Sequence, residues 1–276
     1  MTNALTYGRQ FRLDGKNALV TGALGILGRR FCSGLAEFGA NVAVIDLDEA
    51  EAGRFAEQLS AQYGTRCIGI ACDVSDPDSV MHMTDVFAEQ LGDIHISLNN
   101  AASKSGDLSA FFAPFEQYSL AEWRSVMSVN IDGMFLVAQA VGRRMIEQKT
   151  GGAIVQTSSI YGLLGPDERI YEGSRYLDMA INTPAVYAAS KAAVIGLTQY
   201  LATRWAKHGI RVNTLTPGGV QSGQNETFIG KYANRVPMGR MGEPDELVGA
   251  VLYLVSDASR YVTGHNLVVD GGLHAW

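Results

Sequence analysis

Short apolar runs alternate with longer amphipathic stretches along most of the 276-residue chain. Residues 17–21, 41–46, 67–71, 94–98, 153–157, 211–215 and 267–269 are short and apolar, and they predict strands. Between them, residues 29–38, 49–63, a stretch opened by Asp76-Pro77, and residues 120–148, 185–208 and 243–255 carry apolar side chains at helical spacing. Gly39 follows the first of these as a C-cap, and Pro77 suits a first helical turn. The strand segments are apolar throughout rather than alternating, as strands covered by helices on both faces must be. Strand and helix in strict alternation predict parallel strands with crossover helices. The expected fold class is therefore α/β, one doubly wound sheet with helices on both faces and a single domain over residues 1–276. No linker, repeat or low-complexity segment divides it. One stretch, Gly162–Pro184, breaks the rhythm; it is polar, aromatic and without clear period.

Composition narrows the partners. The chain carries 22 basic and 28 acidic residues, a net charge of −6, with no basic patch. That argues against nucleic acid and anionic membranes as partners. The opening MTNALTYGRQFRLDGK has no apolar core of a signal peptide, and no apolar run approaches the roughly 20 residues of a membrane span. Three sparse cysteines, Cys32, Cys67 and Cys72, read as reduced, buried thiols of a cytoplasmic protein. The five histidines form no pair at helical spacing, so no metal site is expected.

The first strand runs into Thr21-Gly22-Ala23-Leu24-Gly25-Ile26-Leu27-Gly28. Glycines after a strand and before a helix let the backbone approach a pyrophosphate, and the helix N-terminus offers free N–H groups to it. The second strand ends at Asp46, where a carboxylate can accept hydrogen bonds from the adenosine ribose and repel a 2′-phosphate. This favours NAD over NADP. Arg29 and Arg30 pull the other way, since an arginine nearby can pair with that phosphate. Asp73-Val74 ends the third strand, where a carboxylate can meet the adenine amino group. Further on, Tyr187-Ala188-Ala189-Ser190-Lys191 puts a phenol and an ammonium one helical turn apart, an arrangement that can lower the phenol pKa. Ser158-Ser159 ends the fifth strand, where such sites gather.

Taken in order, these pieces resemble the short-chain dehydrogenase/reductase family from about Asp14 to the C-terminus. The resemblance rests on TGALGILG (21–28), Asp73-Val74, Leu98-Asn-Asn-Ala-Ala102, Val129-Asn130, Ser159, YAASK (187–191), Arg211-Val-Asn213, Pro217-Gly218-Gly219-Val220 and Val262-Thr-Gly264…Val269-Asp-Gly-Gly272. It implies a Rossmann-type fold and an NAD(P)-dependent oxidoreductase that moves a hydride between nicotinamide and an alcohol or ketone carbon. By the same resemblance Tyr187 is the general acid/base, and Lys191 lowers its pKa and holds the nicotinamide ribose. Ser159 binds the substrate oxygen, and Asn130 continues a proton relay through a water on its backbone. The nucleotide is expected on Gly22, Gly25, Ile26 and Leu27, on Asp46 and Leu47, and on Asp73 and Val74. Asn100, Ala101, Tyr187, Lys191, Pro217, Gly218, Val220 and Ser222 complete its surroundings, with the Val220 backbone on the carboxamide. The family assembles as dimers or tetramers, so a homo-oligomer is expected.

Three departures stand out. Ile26 replaces a family glycine, Ala102 replaces another, and Ser159 and Tyr187 lie 187 − 159 = 28 residues apart, about twice the family spacing. The extra residues are the 162–184 insertion, expected to shape the substrate pocket. Its polar set, with Ser159, Tyr161, Arg169, Glu172, Tyr176 and Gly219 as the expected substrate contacts, suits a small polar molecule. The segment from Ser159 to Glu172 also resembles a branch of the family associated with surface-sugar and flagellin-glycan biosynthesis, which implies a sugar or sugar derivative. Residues 222–236 are expected to form a lid. Two other readings remain open at this point: a non-catalytic nucleotide-binding scaffold, and a dehydratase or epimerase that uses the cofactor transiently.

Overall fold

A computed structural model describes residues 7–177 and 179–276. The strands are β1 (Asn17–Thr21), β2 (Asn41–Asp46), β3 (Cys67–Ala71), β4 (Ile96–Asn99), β5 (Gly152–Thr157), β6 (Arg175–Tyr176), β7 (Met179–Ala180), β8 (Ile210–Pro217) and β9 (Asn266–Val269). The helices are α1 (Ile26–Glu37), α2 (Glu49–Tyr63), α3 (Pro77–Leu91), α4 (Leu108–Phe111), α5 (Leu120–Met127), α6 (Met134–Gln148), α7 (Ala185–Trp205), α8 (Glu226–Ala233) and α9 (Val248–Val255). Seven strands form one sheet in the order β3-β2-β1-β4-β5-β8-β9, every neighbouring pair parallel. The expected doubly wound sheet is thus the fold.

The strand side chains alternate between two cores. Ala18, Val20, Val42, Val44, Ile96 and Leu98 face the layer holding Phe31 and Leu35 of α1 and Leu252 of α9. Leu19, Ala43, Ile45 and Ile154 face the other layer, with Met83 and Phe87 of α3, Val141 of α6 and Leu201 of α7. Both faces are covered, which is why the strands read as unbroken apolar runs. Helix starts follow local chemistry. Asp48 accepts from the Glu51 N–H to open α2, and Asp76, before Pro77, accepts from the Asp78 N–H to open α3.

Two helical stretches and one cysteine differ from the sequence pattern. The stretch 120–148 is helical throughout, but a π turn at Ser128–Gly133 separates α5 from α6. Within these 29 residues one 18-residue window reaches a mean hydropathy of 1.2, apolar enough by length and composition for a membrane span, a stretch that the sequence reading passed over. The apolar side of α6 is instead taken up by α3, α7 and the sheet. The residues expected as a helix from 243 begin as a 3-10 turn, Pro244–Leu247, before α9. Cys67 is only half-buried, whereas Cys32 and Cys72 are buried as expected; burial pushes both of their thiols up in pKa.

The insertion acquires structure of its own. It holds a 3-10 turn at Glu168–Ile170 and a small antiparallel hairpin of β6 and β7. Ile170 and Tyr171 pack on Phe228 and Tyr232 of α8, on Ile160 and on Leu273 near the C-terminus, forming a separate apolar cluster. The insertion and the expected lid are therefore one packed roof beside the sheet.

Candidate active site

The strand order reverses between β1 and β4, so the crossovers on either side leave in opposite directions and open a crevice at the strand C-termini. Gly22 leaves β1 with φ +62°, and a Cβ there would lie 2.8 Å from the Ala101 Cα. A Cβ on Gly28 would collide with the Gly22 carbonyl. These two glycines let the turn and the β4 exit touch. Thr21 ties them further: its Oγ1 accepts from the N–H groups of Asn100 (3.1 Å) and Ala101 (3.2 Å), while Asn100 Nδ2 donates to the Gly22 carbonyl (3.2 Å). The role of Thr21 was hidden in the sequence, although the residue stands inside the glycine motif.

Ile26 opens α1 with its side chain half-exposed, and Gly25, the N-cap before it, provides no side-chain cap. The first-turn N–H groups are left for an anion. Because Ile26 lies within a helix, it needs no positive φ, and the family glycine at that place is dispensable here. Leu27 packs inward against the core. Ala102 is exposed, so its methyl projects into open space.

Asp46 accepts from the Leu24 N–H (2.8 Å) and the Leu47 N–H (2.9 Å), which fixes its carboxylate at the end of β2; Leu47 itself is exposed. Both arginines that could have favoured a 2′-phosphate are engaged within the protein. Arg29 donates to the Leu24 carbonyl (3.0 Å), pairs with Glu51 and lies over the Phe55 ring, and Arg30 pairs with Asp245 at 3.2 Å. Asp73 is exposed and accepts from both the N–H (2.9 Å) and the hydroxyl (2.7 Å) of Ser75. Val74 is buried against Gly133 of the π turn.

On the other side of the crevice, β8 ends at Pro217. Gly218 lies so close to Asp270 that a Cβ would fall 2.7 Å from the Asp270 Cα. Gly219 donates its N–H to the Tyr232 hydroxyl at 2.6 Å. The side-chain amide of Gln224 spans two backbone groups here: it donates to the Val220 carbonyl (2.9 Å) and accepts from the Ser222 N–H (2.7 Å). A carboxamide therefore already sits where the family resemblance expects one.

The reacting groups meet where β5 faces α7. Ser159 accepts from the Tyr161 N–H at 3.3 Å, and its hydroxyl is near enough to Tyr187 to favour the ionised phenol. Ser158 is used differently, donating to the Lys191 carbonyl at 2.7 Å, so its hydroxyl braces α7. This supports the assignment of Ser159, rather than Ser158, to the substrate oxygen. Lys191 is 3% exposed; its Nζ donates to the Thr157 carbonyl (3.0 Å) and lies 5.9 Å from the Tyr187 ring centroid. Burial brings its pKa down to about 8. Asn130, fully buried in the π turn, accepts from the Ser103 N–H (2.8 Å) and donates to the Ser190 hydroxyl (3.3 Å). Its side chain is thereby spent on structure. A π turn displaces carbonyls from the helical ladder, and that leaves the backbone as the polar group Asn130 can offer.

One expectation needs correction. The sequence suggested that Lys191 lowers the Tyr187 pKa. In this site burial pushes the phenol up, Ser159 pulls it back by a smaller amount, and the lysine is held by Thr157. Tyr187 is thus a protonated donor at neutral pH, suited to protonating a carbonyl oxygen.

Of the expected substrate contacts, Ser159 and Tyr161 lie at the centre. Arg169 forms a two-pronged pair with Asp167 (2.8 Å for each contact), and the Glu172 carboxylate approaches Lys231 at 3.4 Å. Tyr176 is exposed, 6.0 Å below the Lys104 ammonium. These three lie on the outer side of the roof, and Lys231 also donates to the Arg169 and Glu172 carbonyls, joining the insertion to α8. The inner side carries hydroxyls that were not assigned from the sequence: Tyr171 bonds Tyr161 (3.3 Å) and Thr183.

An oxyanion-stabilising Tyr–Ser pair beside a glycine-built phosphate cradle defines a nucleotide-dependent oxidoreductase. Residues 22–274 match the family model described as enoyl-(acyl carrier protein) reductase. The chain is 38% identical to D-threitol dehydrogenase of Mycolicibacterium smegmatis over 267 residues, covering 95% of this chain and 94% of that one. It is 36% identical to galactitol 2-dehydrogenase (L-tagatose-forming) of Cereibacter sphaeroides, covering 99% and 100%. A gluconate 5-dehydrogenase structure from Burkholderia cenocepacia, in complex with NADP and tartrate, superposes with TM-score 0.83 at 35% identity, covering 97% and 98%. A short-chain dehydrogenase from Leptospira borgpetersenii with bound NAD+ superposes with TM-score 0.81 at 34% identity, covering 95% and 94%. The protein belongs to the short-chain dehydrogenase/reductase family. It is an NAD(P)-dependent oxidoreductase acting on the CH–OH group of a small polar substrate.

The crevice fits the dinucleotide by its own geometry, since Gly22 and Gly28 admit no side chain and α1 begins uncapped. When bound, the nicotinamide supplies or accepts the hydride. The protein's own residues orient the substrate and handle its proton. Ser159 and Tyr187 offer two neighbouring hydroxyls, an arrangement that can meet negative charge developing on a bound oxygen. The Tyr187 hydroxyl is a group that can give or take a proton there, and the buried Lys191 ammonium lies 5.9 Å from its ring centroid.

Proposed function

We propose that the protein interconverts a small uncharged polyol and its ketose, with NAD preferred to NADP. The observation that carries the substrate reading is the wall of neutral hydroxyls near Tyr187, formed by Tyr161, Tyr171 and Thr183, behind which three cations are paired with carboxylates. Arg235 and Arg169 both pair with Asp167, and Lys231 with Glu172. A neutral chain of hydroxyls suits this wall better than a carboxylate-bearing sugar acid does. The two relatives named for polyols, D-threitol and galactitol dehydrogenases, support the same class. The likeness of residues 159–172 to surface-sugar proteins is compatible with it, both being sugar-derived. The NAD preference rests on Asp46 and on the internal engagement of Arg29 and Arg30.

Half-exposed Phe135 on α6 and exposed Tyr200 on α7 support the further reading that these helices meet a second copy of the chain. A single-chain mass in solution would overturn that reading.

The test is a fluorescence titration with NADH and NADPH, followed by turnover of D-threitol, galactitol and gluconate. Tighter NADH binding and net NADH formation from the polyols, exceeding that from gluconate, are expected. Net formation also separates this reading from an epimerase that recycles its cofactor, and turnover of any kind separates it from a scaffold. Asp46→Ala should improve NADPH binding about tenfold, since it removes a repelling charge; unchanged NADPH affinity would contradict the role given to Asp46.

A further inference from the structure

Tyr161 takes part at both ends of the pocket. Its backbone N–H holds Ser159, the partner of Tyr187, and its hydroxyl accepts from Tyr171 at 3.3 Å. Tyr171 is in turn bonded to Thr183. Both Tyr171 and Thr183 come from the insertion that doubles the Ser159–Tyr187 spacing. The outcome is a row of three neutral hydroxyls that starts on Tyr161, the residue whose N–H holds Ser159. With Tyr171 donating to Tyr161, Thr183 must donate to Tyr171. These two bonds leave the Tyr161 proton and several oxygen lone pairs for another molecule. Burial pushes the Tyr161 and Tyr171 phenols up in pKa, so both stay protonated.

We propose that the Tyr161–Tyr171–Thr183 row determines specificity by binding the hydroxyl on the carbon next to the one that reacts. The proposal rests on the polyol reading above. A secondary alcohol held by Ser159 and Tyr187 extends its neighbouring carbon along this row. A vicinal hydroxyl there can accept from Tyr161 and donate to a free lone pair of Tyr171 or Thr183. An alcohol without that hydroxyl leaves the row bonded only to itself. The row is fixed from behind, since the Tyr171 ring packs on Phe228 at a centroid distance of 5.6 Å. It thus presents a formed surface rather than a mobile one, and the discrimination falls on substrate affinity more than on the chemical step.

The experiment compares wild type, Tyr171→Phe and Thr183→Val with NAD+ and two probes, D-threitol and 2-butanol. Tyr171→Phe keeps the ring that packs on Phe228, and Thr183→Val keeps the shape of the side chain, so melting temperature and NADH binding serve as folding checks. One neutral hydrogen bond is worth about 1 kcal/mol, or roughly a fivefold change. Each variant should raise KM for D-threitol about fivefold to tenfold, with kcat within about twofold, and leave 2-butanol kinetics unchanged. Equal losses on both alcohols would mean a structural role and would overturn the proposal. So would variants that oxidise D-threitol as wild type does, an outcome that leaves the polyol reading intact. Wild type that oxidises 2-butanol but no polyol would overturn that reading and this proposal together. Should one variant fail to fold, the other alone decides.

Discussion

The two walls of the crevice are built from different materials. The nucleotide wall is made of backbone: Gly22 and Gly28 admit no side chain, Thr21 fastens the β4 exit, and α1 begins uncapped. The roof is made of side chains: Tyr161, Tyr171 and Thr183 inside, Arg169, Glu172 and Lys231 outside, with Phe228 and Tyr232 beneath. A backbone wall binds what every relative binds, and it tolerates little change. A side-chain wall can be respecified one residue at a time without touching the sheet.

The catalytic pair between the walls should show the largest effect. Tyr187→Phe removes the proton donor and should lower kcat by about a thousandfold with NADH binding retained; steady-state rates and a fluorescence titration check this. Loss of NADH binding as well would mean that Tyr187 belongs equally to the nucleotide wall.

Because burial raises the Tyr187 pKa, alcohol oxidation, which needs the phenolate, should climb with pH well into the alkaline range. Ketone reduction, which needs the phenol, should fall along the same limb. Profiles of kcat/KM in both directions test this; coincident profiles would remove Tyr187 as the titrating group.

Lys191 gives an opposition of function and stability. Its folded pKa, about 8, lies below the ordinary 10.5, so the unfolded chain binds the extra proton between those values. Stability should therefore rise with pH from about 8 to 10.5, and below about 8 the fold bears the full cost of a buried ammonium, roughly 3 kcal/mol. Lys191→Met should abolish turnover yet raise Tm at pH 7 by about 5 °C, after allowing for the lost bond to Thr157. A lower Tm would show that the Thr157 bond outweighs desolvation.

The outer face of the roof should matter least. Lys231→Met removes the tie from α8 to Arg169 and Glu172 and should raise polyol KM about twofold, with less than about 1 kcal/mol lost in stability, as for exposed ion pairs. A loss of NADH binding on this change would join the two walls that the structure keeps separate.

Much of this protein was legible in its residues. Apolar runs covered on both faces dictated the parallel sheet, since only such strands can be apolar at every position. The glycine turn, Asp46, Ser159, Tyr187 and Lys191 could be located because short-range rules govern them: a turn needing φ +62° at Gly22, a strand end, a one-turn helix spacing. Other features depended on contacts between segments far apart in the chain. Nothing local told that Thr157 would hold Lys191, that burial would raise the Tyr187 pKa, or that Gln224 would span Val220 and Ser222. Nor did composition separate the inner hydroxyls of the insertion from its outer charges. Arg169, Glu172 and Tyr176 read as the polar candidates and Tyr171 and Thr183 did not, whereas in the fold Ile170 and Tyr171 pack in the cluster with Phe228 and Tyr232. Hydrogen-bond partners and desolvation are set by which surfaces meet, and that is decided by tertiary structure.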